Sequence, residues 1–118
     1  MPYTFKSIKA WQKAHELVLN IYDVTTKFPV SERFGLTAQL RRSASSVATN
    51  IVEGYKRKSR KDFAHFLNMS DASLEETKYH LLLAFDLKFL DKNDYEKLLA
   101  TADETGRMRS GFQKRLLI

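Results

Sequence analysis

Apolar residues recur at spacings of three and four along nearly the whole chain, and strand-like alternation of useful length is absent. The spacing is cleanest from Phe34 to Lys61, where Leu36, Leu40, Ala44, Val47 and Ile51 share one sector at ~100° per residue and Arg41, Arg42 and Lys56 fall nearly opposite. This predicts helix 2, from Leu36 to Gly54 or a few residues beyond, with Gly54 either its C-terminal cap or a point of close helix approach. Helix 1 is expected from Ile8 to Lys27, with Trp11, Ala14, His15, Val18, Ile21, Tyr22 and Thr25 on its packed side, ending at Phe28-Pro29. Ser59 and Asp62 read as a capping box opening helix 3, whose core stripe is Phe63, Phe66, Leu67, Ser70, Leu74, Thr77, Leu81 and Ala84. Asp91 and Asp94 cap helix 4, which carries Tyr95, Leu98, Leu99, Ala102, Phe112 and Leu116 on one side, interrupted by Arg109. Four helices with short connections predict an all-α, antiparallel up-down-up-down four-helix bundle, one domain over residues 1–118.

Helix 3 has a second stripe that a monomeric bundle does not need. His65, Met69, Ala72, Tyr79 and Leu83 lie more than ~120° from the core direction. The outward face of helix 2 is expected to carry Ser45, Ala48, Thr49 and Val52, small residues where a solvated helix would show lysine and glutamate. Two such faces predict an oligomer interface between copies of the chain.

Composition narrows the class. Hydrophobic content of 43% with 29% charged residues is globular, and no apolar run approaches the ~20 residues of a membrane span. The segment MPYTFKSIKAW lacks the apolar stretch of a signal peptide, and the chain has no cysteine, so the expected compartment is the cytoplasm. Net charge is +6, unevenly spread: residues 33–61 carry eight basic side chains against Glu53 alone, residues 71–104 nine acidic against four lysines, and the last fourteen residues are +4. Such asymmetry points to a partner. Tyr55–Lys61, YKRKSRK, places five basic residues in seven, and Arg41, Arg42, Lys56, Arg57, Lys58, Arg60 and Lys61 are the candidate nucleic-acid contacts, because clustered cations gain from counterion release on phosphate backbones. The plain alternative is a solvated loop.

The order FP-x-x-E-x-FGLT-x-Q-L-RR (Phe28–Arg42), NIVEGY (Asn50–Tyr55), KSRKDF-x-x-FL (Lys58–Leu67), SLEET (Ser73–Thr77) and LLLA at Leu81, with WQKAHEL at the start of helix 1, closely resembles the bacterial four-helix-bundle proteins encoded in 23S ribosomal RNA intervening sequences. The resemblance implies an antiparallel four-helix bundle. Through related accessory proteins of diversity-generating retroelements, it also implies homopentameric rings with a basic surface, for which nucleic-acid binding and a reverse-transcriptase partner are proposed. Two positions depart from the pattern: Ala48 stands where relatives often carry proline, and Lys88 where a glycine often precedes the Phe89-Leu90 pair.

Catalysis finds little support in the residues. Arg60-x4-His65 superficially resembles the R-x4-H signature of helical HEPN ribonucleases, but eight arginines and three histidines produce that spacing by chance on the order of 0.2 times per chain. Asp62-x-x-His65 has di-iron spacing without the second pair such sites need, so neither metal nor cofactor is expected. His15 and His80 lie on or near core stripes and read as packed. Asn50 reads as a buried amide hydrogen bond and Glu53 as a tether to Arg57 at i+4. The expected protein is a non-catalytic, homo-oligomeric, nucleic-acid- or nucleoprotein-binding bundle. The alternatives are a structural scaffold for protein partners such as a reverse transcriptase, or a metal-independent ribonuclease using Arg60 and His65.

Overall fold

Ser59 stops the chain in an extended conformation and its Oγ accepts the backbone N–H of Asp62 at 3.0 Å, so α3 starts at the expected cap and runs from Arg60 to Asp86. Asp91 does the same for α4, Lys92–Leu116, with Oδ1 accepting from Asp94 N–H at 2.7 Å. With α1, Lys9–Thr25, and α2, Leu36–Tyr55, these are the four helices of the computed structural model, which describes residues 4–117. Met1–Tyr3 and Ile118, the ends of the expected domain and part of the segment read for a signal peptide, lie outside the described residues. Short 3-10 turns at Phe5–Ser7 and Val30–Glu32 precede α1 and α2. Each helix packs on its neighbours in sequence and α1 closes against α4, so the described residues form an antiparallel up-down-up-down bundle with a long axis of 44 Å.

The α2 stripe is buried as expected, and α3 contributes Phe63, Leu67, Leu74, Leu81 and Ala84 to the same core. Phe66 departs from its stripe: it is half-buried, with the Arg57 guanidinium 4.5 Å over its ring. On α1 the packed face is rotated toward Ala10, Ala14, Leu17 and Ile21, leaving Tyr22 44% exposed. His15 is also exposed, contrary to expectation, and stacks on Trp11, which in turn stacks on Phe5, each pair at 4.9 Å. The aromatic rings dominate the sequence pattern, but their ladder lies along the flank of α1 while Leu17 takes the centre.

Gly54 is a close approach and not a cap, since α2 continues through Tyr55 and a Cβ at Gly54 would lie 2.7 Å from Phe63 Cδ1 and 2.9 Å from Phe66 Cβ. The turn into α4 ends α3 in a Schellman arrangement: Phe89 N–H donates to Ala84 C=O at 2.9 Å and Lys88 N–H to Phe85 C=O at 3.0 Å, with Lys88 at φ +66°. A lysine therefore occupies the left-handed position that glycine fills without a Cβ penalty.

Serines and threonines line the α2–α3 contact. Ser70 Oγ donates to Val47 C=O at 2.7 Å, Thr77 Oγ1 lies 3.0 Å from Ser43 Oγ, and Ser46 Oγ lies 2.9 Å from Ser73 Oγ. Asn50 Nδ2 donates to Ser46 C=O at 2.9 Å, the buried amide bond expected of it. Small hydroxyl side chains let two long helices approach closely while their polar atoms satisfy one another. Ala48, expected outward, is buried.

Candidate nucleic-acid interface

Antiparallel topology brings three separate stretches to one end of the bundle: the entry to α1, the α2–α3 turn and the last turns of α4. Residues 4–12, 53–66 and 107–117 together hold eleven basic side chains, Lys6, Lys9, Lys56, Arg57, Lys58, Arg60, Lys61, Arg107, Arg109, Lys114 and Arg115, against Glu53 and Asp62. All but Arg109 are exposed. Arg109 turns inward, its Nη2 3.5 Å from Asp71 and its Nη1 donating to Gln113 Oε1. The remainder of the chain carries nine basic and twelve acidic residues, so the excess positive charge resides at this end.

Two lysines along the bundle's flank are instead tied to carboxylates. Lys13 sits 3.0 Å from Glu16 and 3.5 Å from Glu104, and Lys78 sits 2.9 Å from Asp103 and 3.3 Å from Glu75. Burial works against the Lys78 ammonium, but its bonds to Asp103 and Glu75 hold its pKa above the ordinary lysine value.

Arg41 and Arg42, expected to extend the patch, stand apart from it. Fifteen residues separate Arg41 from Lys56 on α2, about 22 Å along the helix axis. The two arginines also diverge. Arg41 stacks 4.5 Å over the Tyr22 ring and donates Nε–H to Thr25 Oγ1 at 2.8 Å, whereas Arg42 reaches Gln39 and pairs with Glu76 on α3. The charged sector seen in projection is therefore two regions at opposite ends of α2.

On the outer stripe of α3, His65, Met69, Ala72 and Tyr79 are exposed, Met69 at 38% and Tyr79 at 59%. Leu83, eighteen positions or five turns from His65 and so in the same direction, is half-buried and packed against the core. Leu82, 41% exposed, lies ~100° farther round the helix. Glu53 is exposed, and Arg57 covers Phe66 in place of the expected tether.

One cluster has the order of a hydrolytic triad. Ser43 Oγ lies 3.3 Å from His80 Nδ1, and His80 Nε2 lies 3.7 Å from Glu76 Oε2. Ser43 is fully buried, however, so no substrate carbonyl can reach its oxygen. Burial pushes the His80 pKa down; Glu76 opposes this and Arg42 adds to it. Arg60 and His65 are five positions apart on α3, ~140° around the helix, and do not converge on one phosphate. Among the described residues no three His, Asp or Glu side chains are grouped to hold a metal, and no helix is long and apolar enough to cross a membrane.

Comparison with known proteins supplies the lineage. Residues 6–111 match the family described as 23S rRNA-intervening sequence protein. A crystal structure of a protein of unknown function from the S23 ribosomal protein family of Bacteroides thetaiotaomicron VPI-5482 superimposes with a TM-score of 0.80 at 28% identity, covering 89% of this chain and 98% of that one. No curated protein matches. With a four-helix bundle and a family match over nearly its whole length, the chain belongs to the 23S rRNA-intervening sequence protein family.

Proposed function

We propose that this protein is a non-catalytic bundle that binds the phosphate backbone of structured RNA or duplex DNA through its basic end. The observation that carries the reading is the convergence of eleven basic side chains, ten of them exposed, from three segments that contain two acidic residues. Local stability accounts for only part of it: Lys114 and Arg115 sit in the last turn of α4, where the helix dipole favours cations. Arg60 and Lys61 occupy the first turn of α3, where the helix dipole disfavours cations. Exposed, clustered cations are what counterion release rewards, and contacts of this kind select shape and charge more than sequence. The exposed Met69, Tyr79 and Leu82 favour self-association, and a homo-oligomer, the pentamer among the expected states, would multiply weak contacts by avidity. Buried Ser43 and the divergent Arg60 and His65 favour binding over catalysis.

The test is a salt titration of wild-type protein on a structured RNA and a duplex DNA. Affinity should fall with salt at roughly one unit of log–log slope per neutralised phosphate, with little difference between sequences. Absence of binding to both at low salt would sink the proposal, and RNA cleavage lost in His65→Ala would replace it with the ribonuclease reading.

A further inference from the structure

The far end of α2 carries a different kind of positive site. Tyr22, Arg33, Phe34, Arg41, Arg42 and Ser45 border an open cleft of about 420 Å³ that no carboxylate lines. Among the described residues, those that hold Arg41 there offer neutral groups: the Tyr22 ring under its guanidinium, Thr25 Oγ1 at 2.8 Å and the Tyr22 carbonyl at 3.4 Å. Its charge is fixed in direction but uncompensated, the condition for recognising an anion with little reorganisation. Arg33 is exposed and lies 5.4 Å over the Phe34 ring, and that ring is 87% exposed. A phenylalanine so presented gains nothing from the core, and beside two guanidinium groups it offers a face on which a planar ring can stack.

The geometry points to a nucleoside-phosphate site in this cleft, with the base stacked on Phe34 and the phosphates held by Arg33 and Arg41. Arg42 takes a lesser share, because Glu76 already pairs with it. The ligand is either a free nucleotide or one nucleotide of a single strand, since both present the same base and phosphate. The site lies about 22 Å from the basic end along α2 and does not depend on it.

Calorimetry on the full chain with ATP, inorganic tripolyphosphate and adenosine tests the assignment at low salt. ATP should bind at least about tenfold more tightly than tripolyphosphate, the increment expected of one stacked base, and adenosine more weakly than ATP. Phe34→Ala should remove the preference for ATP over tripolyphosphate, and Arg33→Ala should weaken both. Both side chains are exposed, so neither change threatens the fold; Arg41→Gln should cost the most affinity. Lys58→Ala/Lys61→Ala should reduce nucleic-acid retention at the other end while ATP affinity holds, so the two readings fail separately. In that background, displacement of ATP by a twelve-nucleotide single strand identifies a strand as the source, and no displacement identifies a free nucleotide. No ATP binding at millimolar concentration would overturn the proposal, as would equal affinity for ATP and tripolyphosphate. If, in addition, Phe34→Ala changes the sedimentation coefficient, the cleft is a contact between copies instead.

Discussion

The two ends of α2 carry positive charge in opposite ways. At the Tyr55 end, Lys56, Lys58, Lys61 and Lys114 are exposed on a turn and a helix terminus, whereas at the Leu36 end Arg41 is stacked on Tyr22 and Arg42 is paired with Glu76. Flexible lysines can follow an irregular polyanion, and oriented arginines can read a single group of defined shape. Cations that project to the same side of a helical wheel thus differ in what they can recognise, because the neighbouring helices decide which are anchored.

The largest effect should come from reversing charge at the loose end. Glutamate at Arg57, Lys58, Lys114 and Arg115 together should weaken binding to structured RNA by more than about a hundredfold near physiological salt, with several phosphate contacts removed and repulsion added. The same number of reversals at the far end, glutamate at Lys27, Arg33, Lys92 and Lys97, should weaken it far less. Lys114 and Arg115 belong with the turn because α4 returns to it, although in sequence they lie more than fifty residues away. Equal losses at the two ends, measured by fluorescence anisotropy, would show that net charge alone governs binding.

The same two ends should respond with opposite sign to changes involving glycine. Gly54→Ala at the basic end puts a methyl group within 2.7 Å of Phe63 and 2.9 Å of Phe66, so the α2–α3 contact must open, at a cost of about 1–3 kcal/mol in chemical denaturation. Lys88→Gly at the far end relieves a left-handed lysine worth about 1–2 kcal/mol. The more flexible unfolded chain takes back about 0.4–1 kcal/mol. A net gain of roughly 0–1.6 kcal/mol should remain, and a loss would mean that the Lys88 side chain makes a contact outweighing its strain.

Much of this bundle is legible in one dimension. Ser59 with Asp62 and Asp91 with Asp94 mark helix starts because a cap acts within three residues, and the α2 stripe holds because helix 2 has one apolar side. The reading fails where an answer depends on a neighbouring helix. On α1, Trp11, His15 and Tyr22 outweigh Ala10 and Leu17 in the pattern, yet the small alanine suits the tight centre. The spacing assigns Ser43, Ser46 and Ser73 no role until α3 lies against α2 and their hydroxyls pair. For the site, the cluster Lys56–Lys61 is plain in sequence, but its company of Lys6, Lys9 and the α4 terminus follows from topology. Arg41 and Arg42 lie about 22 Å from it by position along helix 2 alone, but what anchors each follows only from its partners on α1 and α3.

The smallest effect concerns the polar contact midway between the ends. His80 bridges the buried Ser43 hydroxyl and the exposed Arg42–Glu76 pair, and burial depresses its folded-state pKa below the ordinary value of 6.5. The unfolded chain then binds a proton more readily than the folded one, so stability rises with pH through this window. It should decline as pH falls below about 6.5, where the unfolded imidazole protonates, and the decline should level off once the folded imidazole protonates as well. His80→Gln keeps a hydrogen-bonding side chain without the titration and should flatten the denaturation midpoint between pH 7 and pH 5 relative to wild type. Removing Glu76 should sharpen the contrast: in Glu76→Gln the carboxylate no longer favours the imidazolium while Arg42 still opposes it, so the pH-dependent loss should grow. If it shrinks instead, His80 is protonated in the folded state and paired with Glu76, and the seam is held by charge instead of by neutral hydrogen bonds.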